Sequence, residues 1–246
     1  MQPATAALVG VAGGAGTTRL CVETAAVLAR EGASVGVFDA AFATQGLAQY
    51  VDGRIDADAT RLLTGDAALA DARHDLAPDA PGDVAAYPAF APFARIADAK
   101  APEAAERLGD RLDGLAATHD YVLVDAPPVA ANQAVAAVTA ADRVAAVLPP
   151  GDRGVDSLQR ARGRLADVGS SFDLAVANRT TEPAPDADCA VPEHDATGVP
   201  ERVVALDGAG PFTASVAGVA ESLFDATVDV DAGDDSVFDA AKQKLS

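Results

Sequence analysis

The chain has almost no lysine. Lys100, Lys242 and Lys244 are its only three, against 37 Asp and Glu, and arginine supplies the rest of the 18 basic side chains. The formal charge is −19. That balance leaves no broad basic face to neutralise phosphates, so bulk electrostatic binding of nucleic acid is not expected. Tryptophan is absent and aromatics are 4% of residues, so a core must be built from small and branched side chains. The two cysteines, Cys21 and Cys189, lie far apart and in no Cys/His spacing, which excludes a readable zinc or redox motif. They read as small buried hydrophobes. No apolar run approaches the roughly 20 residues of a spanning helix. No basic-then-apolar leader pattern opens the chain, and a cytoplasmic location is expected.

What is present is an apolar-rich sequence of 246 residues, half of them hydrophobic, enough for one large folded domain. An acidic excess over such a core fits a protein kept in solution in strong salt, and the composition reads as haloarchaeal in type. At molar salt the screening length falls to about 3 Å, so the acidity itself names no partner.

Short apolar runs alternate with helical patterns. Strands are expected at Ala6–Ala12, Ser34–Phe38, Val84–Tyr87, Tyr121–Val124, Arg143–Leu148 and Phe172–Ala177. Helices are expected at Thr17–Arg30, Pro102–Ala117, Asn132–Ala140, Asp152–Val168 and Pro211–Phe224, with short helical pieces between Ala43 and Ala72. Asp75–Lys100 is the least readable stretch. Strands apolar on both faces argue for an α/β fold, a mostly parallel central sheet with helices on both faces. Ligands of such sheets bind at the carboxyl ends of strands, and there the sequence places a glycine-rich turn, Asp39, Asp125 and Asn178.

The turn Gly10–Thr18 joins a strand to a helix, a geometry that aims backbone N–H groups and the helix dipole at one anion. A phosphate-binding loop asks for Gly-x4-Gly-Lys-Ser/Thr; here Gly16 is followed by Thr17 and Thr18, so the lysine is missing. A ligand-free tight turn is the alternative reading of this stretch alone. Arg19, roughly 200° round the helix from Thr17, could supply a substitute charge or be a surface arginine.

Taken with the rest of the chain, the turn resembles the deviant phosphate-binding loop of the ParA/MinD P-loop ATPases, Lys-Gly-Gly-x-Gly-Lys-Thr-Thr. Ala12, Gly13, Gly14, Ala15, Gly16, Thr17, Thr18 and Arg19 stand at that place. Val35–Leu47 is similar to the family's second strand and first switch, with Asp39 at its first aspartate and Ala41 at its second. Asp120–Pro128 is similar to the Walker B segment, with Asp125 at its aspartate. Leu174–Arg179, Val191–Glu193 and Gly210–Leu223 resemble the strand whose asparagine reads adenine, the Pro-Glu segment after it and the final helix. The resemblance implies a nucleotide-binding domain over residues 1–228. It implies ATP or ADP with Mg2+, held by Gly13, Gly14, Ala15, Gly16, Thr17, Thr18, Arg19, Asn178, Arg179 and Pro192, with Thr18 and Asp125 at the metal.

The departures fall on catalysis. Ala12 replaces the lysine that the resemblance would send across an ATP-sandwiched dimer, Thr17 the phosphate lysine, and Ala41 the water-positioning aspartate; Asp39 and Asp125 are retained. Phosphoryl transfer depends on positioning and charge stabilisation, so hydrolysis should suffer more than binding. The expected role is a nucleotide-binding regulator or scaffold in intracellular positioning or partitioning, with a protein partner or a second copy of the chain. The alternatives are a slow active ATPase and a ligand-free interaction module. Arg153, Arg160 and Arg164 share a helix face with Ser157 between them, read as a solvated face rather than a DNA site. Residues 229–246 read as an acidic linker and an amphipathic tail. Val237, Phe238, Ala241 and Leu245 are in helical register over Ser236–Ser246, so membrane or partner docking stands beside a frayed terminus.

Overall fold

The computed structural model describes residues 4–65, 67–77, 79–195 and 203–230, without the side chain of Asp207. The amphipathic tail, with Phe238, Lys242 and Lys244, lies outside the described residues.

The strands are β1 (Thr5–Gly10), β2 (Ser34–Asp39), β3 (His74–Asp75), β4 (Asp83–Tyr87), β5 (Tyr121–Ala126), β6 (Arg143–Leu148), β7 (Leu174–Asn178) and β8 (Cys189–Val191). They form one sheet in the order β3-β4-β2-β5-β1-β6-β7-β8. Every pairing is parallel except β3 with β4 at the edge. The helices are α1 (Thr17–Arg30), α2 (Ala59–Thr64), α3 (Phe93–Ala99), α4 (Pro102–Ala116), α5 (Asn132–Ala140), α6 (Asp152–Asp167), α7 (Val204–Asp207) and α8 (Pro211–Phe224).

Strand parity divides the core in two. Ala6 and Leu8 of β1, with Val35 and Val37 of β2, pack against Leu20, Val27, Val219 and Phe224 of α1 and α8. Ala7, Val9 and Phe38 point the other way, against Leu108, Leu112 and Leu115 of α4 and Val138 of α5. Both faces are covered, which is why the strands carry near-continuous apolar runs instead of alternation. α1 is buried over Leu20–Ala29, nearly all round. Its cover comes from the sheet on one side and from α7 and α8 on the other.

The strongly patterned elements lie where the sequence puts them, within a residue or two, except that β1 ends at Gly10 before the loop. The stretch 75–100 holds more structure than its pattern suggests. β3 is two residues long, too short to show periodicity, and α3 buries only Ala99, so no stripe marks it. β8 and α7 were likewise not signalled. They are three and four residues long and lie among loop-like residues. Among the described residues no helix is long and apolar enough to cross a membrane.

Candidate functional site

β1 is flanked by β5 and β6, and the loop from its end climbs over the carboxyl edge of the sheet into α1. Gly14 and Gly16 hold φ of 75° and 83°, left-handed values that fold the loop back on itself. A Cβ on Gly16 would sit 2.5 Å from Asn178 Nδ2 and 3.2 Å from an Arg179 Nη atom, so only glycine fits there. The loop is pinned to β7 from outside. Asn178 Nδ2 donates to the Ala15 carbonyl at 2.8 Å, and the Arg179 guanidinium donates to the Gly14 carbonyl. Thr17, at the lysine position, turns back, its hydroxyl 2.6 Å from where a Cβ on Gly10 would be.

Thr18 Oγ1 donates to Asp125 Oδ2 at 2.5 Å. Asp39 and Asp125 are direct neighbours across the β2–β5 register, at the last turn of the sheet before the loops. Both are buried. Asp39 Oδ1 accepts from the Ala41 amide at 2.9 Å, and its Oδ2 accepts from the Ala89 amide at 3.4 Å. Burial, and then the neighbouring Asp125, push the Asp39 carboxyl up to about 8; burial lifts Asp125 to about 6 against the opposing bond from Thr18. Cys21, behind them in α1, is raised by burial first and by the two aspartates second, as an inert buried thiol would be.

Beside the loop opens a cleft of about 420 Å³. It is lined by Gly16, Thr18, Arg19, Asn178, Arg179 and Pro192, all residues the sequence nominates. Gly13, Gly14, Ala15 and Thr17 belong to the loop itself and do not line the cleft. Pro192 arrives because β8 pairs with β7, bringing Val191 opposite Asn178. Arg19 faces the outer wall of the cleft, 3.5 Å from the Glu23 carboxylate and 5.4 Å over the Phe212 ring. The cleft also contains Tyr50, His194 and Phe212, which the sequence reading missed. Phe212 lies inside the final-helix segment and His194 follows the Pro-Glu pair directly; nothing local marks Tyr50, whose phenol burial raises to about 12. On α6, Arg160 donates to the hydroxyl of the buried Ser157 and Arg164 approaches the Val129 carbonyl at 3.5 Å.

The residues fit a magnesium nucleotide. Two buried carboxylates stand side by side at strand ends with a threonine hydroxyl bonded to one, a donor set for a hard cation. Among the described residues no group of three or more His, Cys, Asp or Glu forms a metal cage. Magnesium commonly takes one or two protein oxygens and completes its shell with phosphate and water, which matches Thr18 and Asp125.

No family model matches the chain, and no curated protein sequence matches it. Solved structures do. The septum site-determining protein MinD complexed with Mg-ADP from Pyrococcus horikoshii OT3 superposes with TM-score 0.72 at 18% identity, over 89% of this chain and 94% of that one. The MinC:MinD cell division protein complex of Aquifex aeolicus gives 0.73 at 19%, over 92% and 98%. A ParA family ATPase from Chlorobium tepidum TLS gives 0.70 at 17%, over 89% and 98%. At these identities the likeness is one of fold, and the fold is that of the ParA/MinD P-loop ATPases.

Proposed function

We propose that this chain is a magnesium-nucleotide-binding protein with crippled hydrolysis, serving as a regulator or scaffold in intracellular positioning. The observation that carries the reading is the division at the site between what is kept and what is lost. The loop glycines, the Thr18–Asp125 pair and the cleft at Asn178 and Pro192 are all in place. The charges that catalysis needs are not: Ala12, Thr17 and Ala41 stand where the resemblance puts two lysines and an aspartate.

The chemistry a bound magnesium would supply is positive charge against the phosphates. Thr18 and Asp125 would hold it, and the backbone amides of the loop at the start of α1 would face the phosphate oxygens. Asp125 must ionise fully to act as a ligand, which its upward shift opposes until a cation compensates the charge. Asp39 fixes the turn at Ala41 by accepting a hydrogen bond from the Ala41 amide. Ala41 itself offers no group to orient water. A septum site-determining protein and a cell division protein complex share this fold, which is the support for that part of the reading.

The test is titration calorimetry with Mg-ATP and Mg-ADP in molar KCl, with turnover measured alongside. Binding that weakens in Thr18→Ala, with turnover absent or at least about 100-fold below an active member of the fold, is expected from the lost charge stabilisation. Turnover of a few per minute that Asp125→Ala abolishes would make the chain a working ATPase. No binding of either nucleotide would leave an interaction module.

A further inference from the structure

We propose that the loop Phe90–Phe93 and the arginine-lined groove beside it dock an acidic peptide segment of a protein partner, one that carries an apolar side chain among its carboxylates. The surface lies outside the nucleotide cleft and does not rest on the nucleotide reading. Pro88–Ala94 is an uncharged run that crosses from the end of β4 into α3. Phe90 and Phe93 are the exposed large hydrophobic side chains among the described residues, at 55% and 84%. The backbone beneath them is fastened. The Phe90 amide donates to Oδ2 of the buried Asp58 at 2.9 Å, and the Pro88 carbonyl accepts from the Ala59 amide at 2.8 Å. Gln45 Nε2 donates to the Ala91 carbonyl at 2.9 Å, and Arg95 Nη2 to the Phe90 carbonyl at 3.3 Å. Two phenyl rings are thus held in water on a frame that is ordered before anything binds, which is the form of an apolar anchor.

Phe90 also lines a hollow of about 470 Å³, together with Arg54, Arg61 and Arg95. The carboxylate in that hollow is Asp56, 2.7 Å from Arg54, and Arg95 lies 3.7 Å from the buried Asp58. Among the described residues the exposed Arg61 guanidinium is in no ion pair or hydrogen bond. A second hollow of about 630 Å³ shares Arg61, Arg95 and Asp56 and adds Asp71, so the groove runs on past the arginines. Arginines outnumber carboxylates along this groove, whereas the whole chain has 18 basic side chains against 37 acidic ones. Such a local reversal selects a ligand that brings negative charge, and the two rings select one that also brings apolar surface. A guanidinium takes a carboxylate on parallel N–H donors at contact distance, which the screening length of about 3 Å in molar salt does not abolish. A second copy meeting this patch with its own would set arginine against arginine. An acidic lipid surface would be repelled by the net −19 and has no chain to lay in a groove.

The experiment selects random peptides displayed on phage against the full chain in molar KCl, and measures the affinity of a recovered peptide by fluorescence polarisation. Recovered peptides are expected to carry Asp or Glu on both sides of an aromatic or aliphatic residue. Phe93→Ser and Arg61→Glu should each weaken binding by about 10-fold or more, the scale of one lost anchor or one charge-assisted contact. Both side chains are exposed, so the melting temperature should not change. The same peptide with its acids replaced by lysine should bind Arg61→Glu better than the parent, an exchange that a merely structural arginine would not give. Arg153→Glu, on α6, should leave the affinity as it was. Recovery of no peptide, recovery of peptides without acids, or affinity untouched by both substitutions overturns the proposal. So do two results that give the patch another occupant: binding to phosphatidylglycerol vesicles that Phe93→Ser abolishes, and a doubled mass in light scattering that Phe93→Ser returns to the monomer.

Discussion

Asp39 and Asp125 put two acids within one register step of each other in the interior of the sheet edge. Among the described residues neither is paired with a cation, and both are shifted upward, to about 8 and about 6. Free aspartate titrates near 4. The folded state therefore binds more protons than the unfolded chain between about pH 4 and pH 8. Stability from this pair is fully present below the unfolded value and is lost as pH rises through the folded values. The two groups titrate as a pair. Asp39→Asn removes one ionisation and keeps an acceptor for the Ala41 amide, while its NH2 group faces the amides of Ala89 and Leu47 that the carboxylate accepted from. The variant should match the parent near pH 5, melt higher at pH 8.5 without magnesium, and show a flatter slope between. An unchanged slope, read by thermal melts across that range, would show that the pair is not the source of the strain.

Helix α1 does more than carry the loop; its far face clasps α7 at both ends. Glu23 accepts from the Ala205 amide at 2.7 Å and the Val204 amide at 3.4 Å, at the start of α7. Seven residues on, two turns along the same face, Arg30 donates to the Ala205 and Gly208 carbonyls at 3.0 and 2.7 Å. An acid at the amide end and a base at the carbonyl end match the dipole of a helix too short to hold itself. Glu23 is fully buried, and burial raises its pKa despite these bonds and Arg19. Glu23→Ala strands two amides and should cost about 1–3 kcal/mol in chemical denaturation. It should also speed amide exchange at Ala205; protection there equal to the parent's would refute the clasp. This feature also marks where sequence reading stops. The main helices and central strands were legible because each repeats a period over several turns or a continuous apolar run. The positions of the loop, Asp39, Asp125 and Asn178 followed from strand ends. A four-residue helix, a glutamate that looks like any surface glutamate, and Tyr50 in the cleft wall carry no local signal. Their roles exist only once distant segments meet.

At the scale of the whole molecule, assembly and charge act on each other. Two copies at −19 each repel strongly in dilute salt, where the screening length is about 10 Å, and much less at 1 M, where it is about 3 Å. A dimer sought at low salt could thus fail for a reason unrelated to the site. The resemblance sets a lysine at Ala12 to bond a nucleotide held by the facing copy, and an alanine there has no donor to offer. Arg179 is committed to its own loop through the Gly14 carbonyl, and Arg19 to Glu23 and Phe212. Light scattering in molar KCl should therefore give the same mass with and without Mg-ATP. Ala12→Lys, which restores the donor without touching the core, should be the variant that gains an ATP-dependent increase. A clean ATP-driven doubling of mass in the unaltered chain would show that another group makes the contact across the interface, and that nucleotide still controls assembly despite the missing lysine.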